Sequence, residues 1–275
     1  MKKLSIFMPA IRTENWDAMY QSIEKSCTTL PWELVLCGPF ELTEFLKGKT
    51  NTKHVKDFGS PSRCAQLASF ECEGDLIFHC VDDALMLEGS IDSCLKQYKL
   101  VCGKKDIINC KYREGLNYQG ESMRQDYWYA WGHDALRLPG IPRHYKMSCH
   151  HILDAEYFRE MGGYDCSFLY QNFNLHDFIF RCQWNGSSVI ESQVDVTSCD
   201  HGQADHKVIE DAHNEHDYPL FKKIYGSDSN ALQGRKIDLN NFSNSPLVWN
   251  KRFKNGIPKS YNELEKRVGS APNEY

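Results

Sequence analysis

The chain predicts an α/β protein with a mostly parallel central sheet and helices on both of its faces. Three observations carry this reading. Short apolar runs alternate with amphipathic stretches through residues 4–112, the β-α-β-α order of a parallel sheet. The amphipathic stretches repeat their apolar residues at helical spacing. Capping residues and glycines mark where those stretches start and stop.

The elements follow in order. "LSIFM" (4–8) is a strand stopped by Pro9. In "TENWDAMYQSIEKSC", Trp16, Met19, Tyr20, Ile23 and Cys27 share one helical face, with Thr13 as the cap. "WELVLCG" (32–38) is the second strand, and "PFELTEFLKG" is a short helix closed by Gly48. "SPSRCAQLASFECEG" is a helix with Ser60 as its cap, Pro61 in its first turn and Gly74 as its stop. "DLIFHCV" is a strand, "SIDSCLKQYKLV" a helix and "DIINCKY" a strand. Residues 112–150 are aromatic, punctuated by Gly and Pro, and poor in periodicity, so they read as a long loop excursion of the kind that often carries function. Helical pattern returns in "DAEYFREMGG" and "NLHDFIFRCQWNG", and "SSVIESQVDVTSC" reads as a strand. Beyond about residue 218 the chain turns polar. The expected organisation is a domain over 1–218, with halves at about 1–111 and 112–218, and an extension over 219–275 packed on it.

Composition narrows the class. The 275 residues suit one large domain, or one domain with an appendage. Hydrophobic residues at 41% and charged residues at 25% are ordinary for a soluble globular chain and sufficient for a core. A net charge of −5 offers no overall basic footprint for a dedicated nucleic-acid binder. The twelve cysteines are scattered from Cys27 to Cys199, some inside apolar runs, and no CxxC occurs. The apolar stretch of "MKKLSIFMPA" is too short for a signal peptide. The cysteines therefore read as small buried hydrophobes in a reduced, cytoplasmic protein. No apolar run approaches the roughly 20 residues of a membrane span.

Ligands of such sheets bind beyond the carboxyl ends of the strands. Pro9-Ala10-Ile11-Arg12, Cys37-Gly38-Pro39 and Asp82-Asp83 all fall at such ends. The adjacent carboxylates Asp82 and Asp83 suit a plain strand-end turn. The favoured reading is a divalent cation site, because two carboxylates so close repel unless a cation lies between them. Asp177 is either part of an amphipathic helix or a general base at a helix start facing a cleft. Nine of eleven histidines lie between His133 and His216, and His201, just after a strand, is the one best placed to reach a metal. Arg63 is either a surface charge or a phosphate contact near a helix N-terminus.

Taken together, these pieces resemble the nucleotide-sugar glycosyltransferases of family 2. They are "FMPAIRTENW", "WELVLCGP", "GSPSRCAQLASFECEGDLIFHCVDDALMLEGSID", "EYFREMGGYD", "HDFIFRCQWNG" and "DHG", in that order, over about residues 4–205. The resemblance implies a GT-A fold, a three-layer α/β/α sandwich with a mostly parallel central sheet. It implies a nucleotide-diphosphate sugar as donor, a UDP-sugar foremost. It places Asp83 on a divalent metal, Mn2+ or Mg2+, and Asp82 on the metal or the ribose. His201 matches an occasional metal-binding histidine, and Asp177 matches the catalytic base of an inverting single displacement. Pro9, Ala10, Arg12, Gly38 and Pro39 match positions that cradle the nucleotide, and Arg63 matches a residue on the helix before the metal strand. Gly162-Gly163-Tyr164-Asp165 matches the loop bordering donor and acceptor. The chain departs from the pattern in having Cys37-Gly38 where Asp is common, His176-Asp177 before the last helix, and Val-Asp-Asp-Ala as its metal motif.

Other readings compete. A nucleotidyltransferase also uses paired carboxylates, but "FMPAIRTENW" lacks the glycines of a phosphate loop. A catalytically silent sugar- or partner-binding protein could keep the same fold, with Tyr127, Trp128, Tyr129 and Trp131 stacking on sugars. The acceptor is open: a glycan, a lipid-linked sugar or a modified nucleic-acid base. Lys251, Arg252, Lys254 and Lys259 either meet an anionic acceptor or form a solvated surface.

Overall fold

The computed structural model describes residues 3–114, 122–123, 146–199, 212–226, 235 and 237–244. Its strands are β1 (Leu4–Pro9), β2 (Trp32–Gly38), β3 (Thr52–Lys56), β4 (Leu76–His79), β5 (Ala84–Met86), β6 (Ile107–Glu114), β7 (Ser122–Met123), β8 (His151–Asp154) and β9 (Val189–Cys199). Its α-helices are α1 (Trp16–Ser26), α2 (Glu44–Lys47), α3 (Pro61–Phe70), α4 (Ser90–Val101), α5 (Ala155–Glu160), α6 (Gln171–Trp184) and α7 (Tyr218–Tyr225).

Among the described residues the strands form one sheet in the order β3-β2-β1-β4-β8-β6-β9-β5, with β7 pairing with β6. Strands β1 to β4 run parallel. Strand β8 runs against β4 and β6, while β9 follows β6, so β6 and β9 point the same way as the first four. The sheet is mostly parallel, as expected, with a mixed second half.

Side chains along each strand alternate between two cores. Leu4, Ile6 and Met8 of β1, Leu34 and Leu36 of β2, and Leu76 and Phe78 of β4 face Trp16, Met19, Ile23, Cys94 and Leu95 of α1 and α4. Phe7, Val35, Cys37 and Ile77 face the other way, toward Ala65, Phe158, Phe178 and Ile179 of α3, α5 and α6. The period of two in the strands makes the three layers obligatory, because an apolar residue on either face needs a helix to cover it. A third cluster joins Phe173 and Phe180 of α6 to Phe221 and Tyr225 of α7.

Local chemistry explains the boundaries. Ser60 Oγ accepts the Arg63 N–H at 3.3 Å and Pro61 opens α3, as predicted. Thr13 does not cap α1. Residues Thr13–Asn15 form a 3-10 turn, and the helix proper starts at Trp16. α2 shrinks to one turn capped by Thr43, whose Oγ1 accepts the Leu46 N–H at 3.2 Å. β3, β5, β7 and β8 lie outside the strands read from the sequence. They are short, and β5 and β8 take their register from strands distant in sequence rather than from their own pattern.

All twelve cysteines are free, ten of them buried. Among the described residues no helix is long and apolar enough to cross a membrane.

Candidate functional site

The ends of β1, β2 and β4 converge as predicted. Pro9 pairs with Cys37 across β1 and β2, and Phe7 with His79 across β1 and β4. The Ala10 N–H donates to the Cys37 carbonyl at 2.8 Å. At Gly38 any Cβ would overlap the Ala10 carbonyl oxygen, so the close approach of these two turns requires glycine there. Pro39 is buried beside it.

Asp82 is the hub. Its Oδ2 accepts the backbone N–H groups of Ile11 and Arg12, each at 2.6 Å, and the indole N–H of Trp16 at 3.3 Å. Its Oδ1 accepts Arg12 Nη1 at 2.8 Å. The amide of Asn15 donates to the Asp82 carbonyl at 3.4 Å. The carboxylate thus ties the β1–α1 turn to the end of β4. Asp83 stands next to it, with Oδ2 3.8 Å from Arg12 Nη2. Sequence reasoning missed the indole of Trp16, which it read as helix core only.

Behind this edge lies a buried histidine cluster. His79 shares Nδ1 with the Cys149 carbonyl at 3.1 Å and Nε2 with the Gln171 amide at 3.0 Å. The amide can only donate, so His79 Nε2 accepts and Nδ1 carries the proton. His151 Nε2 meets the Tyr164 hydroxyl at 2.8 Å. Burial lowers the His79 pKa to about 4 and drives that of His151 well below the usual imidazole range.

Arg63 is engaged beside the strand ends, at Asp57, whose N–H donates to the Gly38 carbonyl at 3.2 Å. Its Nε and Nη2 donate to the Asp57 carboxylate at 3.0 and 3.1 Å, and its Nη1 to the Phe242 carbonyl at 2.6 Å. Its guanidinium holds a carboxylate and a backbone carbonyl in place.

Asp177 is not at a helix start facing a cleft. It lies inside α6, fully buried. Its Oδ2 accepts Arg181 Nε at 2.9 Å, and its Oδ1 accepts Arg235 Nε at 2.8 Å together with the Tyr225 hydroxyl. Burial pushes this carboxyl's pKa up, but the two guanidinium groups outweigh it and hold the group below its ordinary value. A base must reach the proton it takes. Asp177 has both oxygens engaged and no exposed surface, and in this geometry it anchors two guanidinium groups. No local pattern marked Arg235 or Tyr225 as its partners.

The Gly-Gly loop is built around the same network. Gly162 and Gly163 adopt φ of 81° and 65°, the left-handed region. A Cβ at Gly163 would strike the Gln66 amide, whose oxygen accepts the Tyr164 N–H at 2.8 Å. Arg181 donates to the carbonyls of Met161 and Gly163 at 2.5 and 2.6 Å, and Arg235 pairs with Asp165. His201, the aromatic group at 127–131 and the basic group at 251–259 lie outside the described residues.

The carboxylate pair suits one kind of metal site. Among the described residues no three His, Cys, Asp or Glu side chains stand together as a cage. Asp83 offers hard carboxylate oxygens beside Asp82, whose own oxygens accept four donors. That fits a magnesium-like ion completed by substrate phosphates, not one enclosed by protein.

No family model and no curated protein matches the chain. Solved structures do. S. aureus TarS 1-349 in complex with UDP is similar with a TM-score of 0.55 at 13% identity, over 84% of this chain and 68% of that one. The same chain in complex with UDP-GlcNAc gives 0.55 at 12%, over 84% and 69%. The chain shares the TarS fold. A longer TarS structure gives 0.53 at 15% identity, over 76% of this chain and 38% of that one. Together with the sheet described above, the TarS likeness makes the architecture GT-A-like. At these identities the TarS comparison speaks for the fold alone.

Proposed function

We propose that this chain is a glycosyltransferase that moves a sugar from a nucleotide-diphosphate donor, foremost a UDP-sugar, to an acceptor hydroxyl. One observation carries the reading. The paired carboxylates Asp82 and Asp83 sit at the carboxyl end of β4, locked to the turn after β1 by four donors to Asp82. They do so on the fold of a protein solved with UDP and UDP-GlcNAc.

In this reading the turn Pro9–Arg12 and the Cys37–Pro39 turn form the floor under the nucleotide. Asp82 positions that floor, and Asp83 is the carboxylate that would hold a Mn2+ or Mg2+ ion, with His201 as a further ligand from outside the described residues. Such an ion stabilises the charge that grows on the departing diphosphate. Transfer is an inverting single displacement, as the family resemblance implies, with its base elsewhere than Asp177. The acceptor is a glycan, a lipid-linked sugar or a modified base, and the protein works in a reducing, cytoplasmic setting that suits twelve free thiols.

The sequestration of Asp177 favours a second reading, a catalytically silent sugar-binding protein. A thermal-shift panel of nucleoside diphosphates, with and without manganese or magnesium, tests the donor site, since a ligand of the native state raises the midpoint by mass action. A rise with UDP that requires metal is expected. Binding of UDP-sugar without any release of UDP, in the presence of hydroxyl acceptors or of water, would select the silent protein. No shift with any diphosphate would remove the donor site altogether.

A further inference from the structure

Asp177 is engaged on both oxygens, so the proposed transfer needs a base from another part of the chain. A second buried carboxylate has a different kind of partner. Residues Ala212–Asp217 form a turn of π-helix that leads into α7. Such turns are rare and recur at functional sites. Asp217 in this turn is fully buried, and its Oδ1 lies 2.8 Å from Nδ1 of His216. The His216 side chain is 36% exposed.

Asp217 is fixed from the far side. The Leu169 N–H donates to its Oδ1 at 2.8 Å and the Tyr170 N–H to its Oδ2 at 2.7 Å, which locks the carboxylate to the residues just before α6. Among the described residues no arginine or lysine pairs with it, in contrast to Asp177. An ionised carboxylate only accepts, so Nδ1 of the imidazole carries the proton. Nε2 of the neutral ring keeps its lone pair, and among the described residues no hydrogen bond engages it. A buried carboxylate that sets the tautomer of a solvent-reaching imidazole, and steadies the imidazolium it becomes, is the arrangement of a general base with its orienting group.

The pair is connected to the strand ends. Tyr170 is followed by Gln171, whose amide meets His79 of β4 at 3.0 Å, three residues before Asp82. β9, which precedes the π-turn in the chain, ends at Cys199, and Cys199 pairs with Ala84 beside Asp83. His213 of the same turn stacks on Phe173 of α6, with ring centroids 4.6 Å apart, which seats the turn on the helix.

We infer that His216, oriented by Asp217, is the general base of the transfer. Nε2 takes the proton of the acceptor hydroxyl while the hydroxyl oxygen forms its bond to the anomeric carbon. The bond from that carbon to the diphosphate oxygen breaks, and its electron pair leaves with the diphosphate. The proton stays on the imidazolium beside Asp217 until the exposed ring edge gives it to water. His216 is the catalytic residue and Asp217 a positioning residue. The inference rests on the donor-site reading above.

The test follows release of UDP from UDP-GlcNAc by the full chain with manganese, with water and p-nitrophenyl glycosides as acceptors, beside thermal shift with UDP. His216→Asn keeps an amide N–H for Asp217 and has nothing in place of Nε2. It is expected to bind UDP as wild type does and to release UDP at least about 100-fold more slowly. His216→Ala is expected to lose as much and to recover activity in free imidazole, which a merely structural histidine would not show. Wild-type rates in His216→Asn, or a slow His216→Ala that imidazole does not restore, overturn the role of His216 and leave the donor site standing. Metal-dependent UDP binding by wild type without any release of UDP overturns the inference together with the transferase reading. Absence of UDP binding by wild type overturns the donor site itself.

Discussion

Asp82 and Asp83 are adjacent yet do different work. Asp82 accepts four donors and behaves as a joint between two strand ends, whereas Asp83 lies 3.8 Å from the Arg12 guanidinium. Their substitutions should therefore differ. Asp83→Asn is expected to keep the melting midpoint within a few degrees and lose metal-dependent UDP binding, read by thermal shift. Asp82→Ala leaves buried N–H groups unpartnered, so it should lower stability by about 2–4 kcal/mol in denaturant unfolding, whatever ligand is present. Asp177→Asn removes the negative partner of two guanidinium groups, and a loss of about 3–5 kcal/mol follows. An Asp177→Asn chain as stable as wild type would mean that the network is not what holds α6.

The titrations carry signs. The folded-state pKa of Asp177 is depressed, so its contribution is present above the unfolded value of about 3.9 and is lost as pH falls through the folded value. His79 is also depressed, to about 4, but it is a base. Below about 6.5 the unfolded chain binds a proton that the folded chain refuses, so stability falls as pH drops from about 6.5 to about 4. The loss is roughly 3 kcal/mol for this one group. Unfolding in urea at pH 7 and pH 5 should show it, and a His79→Gln chain should show less of it.

At the scale of elements, the Gly162-Gly163 turn joins α5 to the segment before α6 with no space for a side chain. Gly163→Ala places a Cβ against the Gln66 amide in a left-handed backbone, at a cost of about 1–3 kcal/mol. Gln66 is bonded on three sides, to Tyr164 N–H, the Gly162 carbonyl and the Leu239 carbonyl, so the strain spreads to residues near 239. Limited proteolysis would detect this as faster cleavage near that segment. α6 ties the strand-end edge to the Gly-Gly loop. Its first residue, Gln171, reaches His79 beneath the Asp82 edge, and Asp177 and Arg181 reach the Gly-Gly loop.

At the scale of the molecule, the polar extension is part of the structure wherever it is described. Phe221 and Tyr225 enter a core cluster with α6, Arg235 closes the pairs with Asp165 and Asp177, and Asn241 exchanges bonds with Tyr164 and Cys166. Truncation after Gly226 deletes Arg235 and Asn241 while leaving α7. We expect a drop of about 3–5 kcal/mol, measured by denaturant unfolding, because a buried carboxylate loses one of its two cations.

What the sequence determined by itself was whatever local pattern encodes. Trp16, Met19, Tyr20 and Ile23 repeat at helical spacing, Ser60-Pro61 caps a helix, and apolar runs end in Pro9, Gly38 and Asp82. These features are enough to place the strand ends of a parallel sheet and the residues that gather there. Tertiary structure alone decided which charges meet. Arg63 found Asp57, Asp177 found Arg235 across 58 residues of chain, and Arg12 found Asp82 across 70. Backbone propensity and amphipathicity act over a few residues and leave their mark in the order of letters. A buried charge is paired by whichever opposite charge the fold brings within a few ångströms, and that proximity has no periodicity for a sequence to display.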